Sequence, residues 1–170
     1  MKSRLFSTLF ILSMLVLTSC DITEVTEVTE VQVIGNEVYS ATIQLRNSDF
    51  VDADEFVSIA EFGWDNLDIP TVDEGVVLGY LQFNGETSWH SLPMNVPFEN
   101  DLVTLRYNFD ERIFNLILEG EVAGNNAMNV DLFNGDILRI VSIPPSQQIR
   151  GKGLDYTDYE AVAERYGLPK

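Results

Sequence analysis

The chain of 170 residues has one cysteine, Cys20, and one histidine, His90. A single thiol excludes any disulfide within the monomer. A single imidazole leaves nothing for a histidine-rich metal centre, and a Ser-His-Asp triad would have to be built on His90 alone. Flanked by Ser88 and Ser91 inside an alternating stretch, His90 reads as a partly buried strand residue. Basic residues are also scarce, with 10 Lys and Arg against 27 Asp and Glu and a net charge of −17. That balance excludes nucleic acid as a partner and argues against anionic headgroups bound through the protein body, since both need clustered cations. No glycine-rich phosphate loop and no HExxH stretch is present. The longest apolar run, residues 5–17, is broken by Ser7, Thr8 and Ser13 and falls short of the ~20 residues a membrane-spanning helix needs.

That run has a different use. Lys2 and Arg4 precede it, and Leu17-Thr18-Ser19-Cys20 follows it. The arrangement resembles the lipobox of bacterial lipoproteins. The resemblance implies cleavage before Cys20 and acylation of that cysteine, which also explains the unpaired thiol. An ordinary secretory leader is the competing interpretation. Residues 1–19 are therefore set apart as a leader. In residues 20–36, Thr-Glu-Val occurs three times between Thr23 and Val31. A period of three fits neither strand nor helix, so the segment reads as an extended acidic tether, with an edge strand at 31–34 as the alternative.

Residues 37–145 read as an antiparallel β-sandwich of seven to eight strands. The organising stretch is 75–93, where Asn84-Gly85 suggests a two-residue type I′ turn that pairs Tyr80 with Trp89. One face of this hairpin would carry Leu78, Tyr80 and Trp89, and the other Val77, Leu81, Phe83 and Leu92. Strands are also expected over 37–45, 56–62, 102–109, 112–118 and 137–143, the last stopped by Pro144-Pro145. Residues 50–55 read as an acidic loop, and 66–73 and 120–136 as connections. Residues 146–170 form a linker and one short helix, with Thr157 and Glu160 as a capping box and Tyr159, Val162, Ala163 and Tyr166 on one face. A helix of about ten residues does not persist alone, so it should dock on the sandwich.

The segments GVVLGYLQF, Trp89 with LPM, ILRIVSIPPS and DYEAVAERYGL resemble a family of small Bacteroidota lipoproteins with a collagen-like tether and a C-terminal β-domain. The tether departs from that pattern, having no glycine period, and Val141-Ser142 alters the end of the last strand. The resemblance implies fold and envelope location and carries no activity.

Two sets of residues suggest sites. Asp52, Asp54 and Glu55, with Asp49 near them, could ligate calcium, although the stretch lacks an EF-hand's glycine and spacing; a solvated acidic loop is the plainer interpretation, and no other cofactor is implied. Trp64, Tyr80 and Trp89 could stack on sugar rings, Trp64 being the best placed for exposure, whereas Trp89 paired across from Tyr80 more often belongs to a core. The expected protein is not an enzyme but a lipid-anchored, cell-envelope binding or structural module, at the outer membrane or facing the periplasm, with a glycan or envelope protein as partner. The alternatives are a carboxylate-based, glycan-directed hydrolase and a carbohydrate-binding module.

Overall fold

A computed structural model describes residues 26–27, 30–34, 38–98, 101–120 and 133–169. Alternation of apolar and polar residues produces the strands. In β9 (Asp101–Asp110), Val103, Leu105, Tyr107 and Phe109 point to one side, and in β10 (Ile113–Glu119) Phe114, Leu116 and Leu118 do the same. The two strands pair antiparallel across a two-residue turn in which Arg112 is left-handed, with φ 61°.

The strands form two sheets. One runs β1 (Thr26–Glu27), β5 (Val57–Gly63), β10, β9 and β8 (Met94–Phe98), with β4 (Phe50–Asp54) on the same edge of β5 as β1. The other runs β2 (Glu30–Ile34), β3 (Val38–Gln44), β11 (Ile137–Ile143), β6 (Val76–Gln82) and β7 (His90–Ser91). Every pairing is antiparallel except β1 with β5. Between the sheets lies a core that includes Ala41, Ile43, Phe62, Leu81, Leu105, Phe114 and Leu138. Tyr107 stacks on Phe114 at 5.1 Å and donates its hydroxyl across the sandwich to the Val77 carbonyl at 2.9 Å. Gly79 makes room for these rings: a Cβ there would lie 3.2 Å from Phe114 and 3.3 Å from Tyr107. Glycine inside a strand commonly marks such a close approach.

The sandwich is therefore the architecture the alternation predicts, and its strand count among the described residues is eleven because short edge strands join it. Four local expectations are corrected. The tether is paired: Thr26–Glu27 joins one sheet and Glu30–Ile34 the other, the edge-strand alternative at 31–34. Residues 50–54 are an edge strand, not a loop. Residues 69–74, expected as a connection, form a helix, α1 (Ile69–Glu74), because Asp68 caps Thr71 and Pro70 sits in the first turn. The hairpin register is shifted by two, with Tyr80 facing Ser91 and Leu81 facing His90. Only Gly85 is left-handed (φ 86°), and the turn closes through Glu86 N–H on the Phe83 carbonyl, as in a type II turn. Asn84 N–H is instead held at 2.7 Å by Asp136 Oδ1. A shift of two preserves which face each side chain takes, so Val77 and Leu81 enter the core while Leu78, Tyr80 and Trp89 stay outside it.

That outer face is buried by a third layer. After Pro144 come α2 (Pro145–Gln148), a 3-10 turn (Ile149–Gly151) and α3 (Tyr159–Tyr166). The α3 cap is Asp158, whose carboxylate accepts from Ala161 N–H at 3.1 Å; the expected Thr157–Glu160 box does not form, because Thr157 is bonded back to Asp155. Gly167, left-handed at φ 75°, ends the helix. Tyr159, Val162, Ala163 and Tyr166 pack on Val38, Tyr80, Val141 and Ile143. β11 is thus apolar on both faces because it is covered on both.

Candidate functional site

Arg139 interrupts the apolar run of β11 and points to the outer face. It is 7% exposed and forms no ion pair among the described residues. Its Nη1 donates to the Tyr159 hydroxyl and, at 2.9 Å, to the Pro169 carbonyl, while Nε reaches Thr42 Oγ1 at 3.3 Å. The guanidinium lies over the Trp89 ring, whose centre is 4.9 Å from that of Tyr159. Tyr80, edge-on to Tyr159 at 5.0 Å, donates its hydroxyl to the Tyr156 carbonyl at 2.7 Å. A buried cation without a carboxylate partner is costly unless acceptors and π-faces receive it, and these groups do so.

Of the three rings considered for stacking on a sugar, Tyr80 and Trp89 both pack against Tyr159, and Arg139 covers the Trp89 face. Burial pushes the Tyr80 and Tyr159 hydroxyls above the ordinary phenol range; the guanidinium opposes this at Tyr159. Trp64 does not have the expected exposure. It is 3% exposed and belongs to the core with Phe62 and Leu67, because its loop is tied down by Trp64 N–H on the Arg112 carbonyl at 2.8 Å.

Asp52, Asp54 and Glu55 do not converge. Asp52 accepts from Ser58 Oγ at 2.8 Å and Asp54 from Phe56 N–H at 2.7 Å, on either side of a register shift in the β4–β5 pair. No group of three His, Cys, Asp or Glu suited to a metal ion occurs among the described residues. These acids flank Val51 on β4 and Phe56 in the turn after it, exposed at 55% and 46%, and among the described residues β4 pairs only with β5. Charges so placed discourage another chain from adding to the edge. His90 pairs with Glu86 at 3.0 Å on the surface and leans on Phe83. Cys20 lies outside the described residues.

An open cavity lies elsewhere among the described residues. A groove of about 560 Å³ lies between the 3-10 turn and the outward edge of α3, lined by Arg150, Leu154, Ala161, Glu164 and Arg165. It holds one carboxylate, whereas glycoside hydrolysis of the usual kind uses two. None of its residues was singled out in the sequence, because Arg150 and Arg165 are fifteen positions apart and only the return of α3 over the turn unites them.

Compared with protein-family models, curated proteins and solved structures, the chain matches none.

Proposed function

We propose that this protein is a lipid-anchored module of the bacterial cell envelope, attached through acylated Cys20, whose sandwich binds or positions another envelope component. The observation that carries the proposal is Leu17-Thr18-Ser19-Cys20 directly behind the apolar run of residues 5–17. Two or more acyl chains give lasting attachment, where one is marginal. The paired Thr26 adds a distance: the chain from Cys20 spans at most about 21 Å to it when fully extended, so the domain rides close to the bilayer. The acidic body keeps neighbouring copies soluble and apart at that surface.

Intact mass measurement of protein extracted from membranes tests the anchor. A chain beginning at Cys20 and carrying acyl mass is expected, with Cys20→Ala yielding no acylated form. A mature chain beginning elsewhere, or an unmodified Cys20, overturns the proposal.

A further inference from the structure

The groove beside α3 has the chemistry of a ligand site. Tyr159, Val162, Ala163 and Tyr166 anchor the helix to the sheet, so Ala161, Glu164 and Arg165 are held outward on a rigid support. Leu154 and Ala161, both half-buried, give the groove an apolar portion. Arg150 and Arg165 flank it. Among the described residues Arg150 makes only long bonds, 3.3 Å to Gln147 Oε1 and 3.4 Å to the Arg165 carbonyl, and lies 5.7 Å from the Tyr166 ring centre. Neither arginine forms an ion pair among the described residues, in a chain where 27 acidic residues outnumber 10 basic ones. Two arginines outside any ion pair among the described residues, amid such an excess of carboxylates, are available to an external one.

We infer that this groove binds the free carboxylate of a short peptide. The inference rests on the binding-module proposal and names its ligand class. Guanidinium groups match a carboxylate with paired N–H donors. Glu164 accepts peptide N–H groups, and Leu154 and Ala161 receive an aliphatic side chain. Glu164 repels a doubly charged phosphate more than a singly charged carboxylate, and the groove lining among the described residues contains no aromatic ring on which a sugar acid would stack. The volume lies in the range of small-ligand sites.

Calorimetric titration of the full chain in detergent tests the inference, with N-acetyl-Ala-Ala, its C-terminal amide, glucuronate and inorganic phosphate as probes. Saturable binding of the free acid is expected. The amide, and the Arg150→Gln and Arg165→Gln variants, should each weaken it roughly tenfold or more, the loss of one charge-assisted hydrogen bond. Both arginines are exposed, so unchanged melting temperatures show that these variants remain folded. Equal affinity for the amide, indifference to both substitutions, or no binding of the free acid overturns the inference; preference for glucuronate or phosphate reassigns the groove to that anion. Repeating the titration with Cys20→Ala separates the two proposals, because acylation is read by mass and the groove by heat.

Discussion

The Arg139 guanidinium lies 4.3 Å from the centre of the Trp89 ring, joining the central strand β11 to the loop before β7. Contact with the Tyr159 hydroxyl and the Pro169 carbonyl extends the same group to both ends of the C-terminal helix. One side chain thus clamps sheet, loop and helix.

Arg139→Ala should therefore cost about 2–4 kcal/mol, since it removes the bonds and leaves a void under Trp89. Arg139→Met should cost distinctly less, because it fills the space and requires no buried charge. Denaturant unfolding of both variants, with Trp89→Ala and Arg139→Ala/Trp89→Ala completing a cycle, should give a coupling of roughly 0.5–2 kcal/mol. Zero coupling would show that the stacking contributes nothing.

Removal of residues 154–170 should destabilise the sandwich by several kcal/mol, at about 1.5–3 kcal/mol for each large side chain returned to water. Tyr159, Val162 and Tyr166 are the principal losses. The uncovered face, with Val38, Val141 and Ile143, should also promote association. Equal unfolding midpoints for truncated and full-length chains would show instead that the helix is a separable tail.

Replacing Asp52, Asp54 and Glu55 by Asn, Asn and Gln should leave the monomer folded yet prone to dimerise through β4, as size-exclusion chromatography would show. The amide oxygen introduced by Asp52→Asn can still accept from the Ser58 hydroxyl, so the fold loses little. A calcium-dependent rise in melting temperature of the wild type, absent from this variant, would assign the three carboxylates to a cation instead.

Alkali should unfold the protein cooperatively. Burial raises the hydroxyls of Tyr80, Tyr107 and Tyr159, and Tyr166 is pushed up to about 12. The folded state favours the neutral phenol, so this contribution to stability is full below about pH 10, the ordinary phenol value, and is lost as pH rises above it. Spectrophotometric titration should show these four ionising together with loss of structure. Their independent titration at the ordinary phenol value in a folded chain would contradict the burial.

Much of this was legible along the chain. The alternation of Val103, Leu105, Tyr107 and Phe109, the stop at Pro144-Pro145 and the helical recurrence of Tyr159, Val162 and Tyr166 are local signals, and the structure follows them. What escaped depends on distant partners. Asn84-Gly85 suggests a tight hairpin until Asp136, 52 residues away, takes the Asn84 N–H. Arg139 is a lone charge inside ILRIVSI, and only the fold of α3 over it supplies its Tyr159 and Pro169 partners. Pro70 opens a helix in a stretch read as a connection, and Pro97 lies on an edge strand, where a missing donor is tolerated. Trp64 lies in a stretch rich in turn residues that is nonetheless drawn into the core.

The division of the N-terminal strands between two sheets has a mechanical consequence. Were the chain anchored through an acylated Cys20 as proposed, tension between membrane and domain would be borne first by the two-residue β1–β5 ladder, Thr26 with Phe62 and Glu27 with Gly63. Its release transfers the load to β2, paired over five residues with β3 on the opposite sheet. Release of both would free about 40 Å of further chain before Val38. The N-terminal region would then act as a two-stage extensible leash, short at rest and long under load.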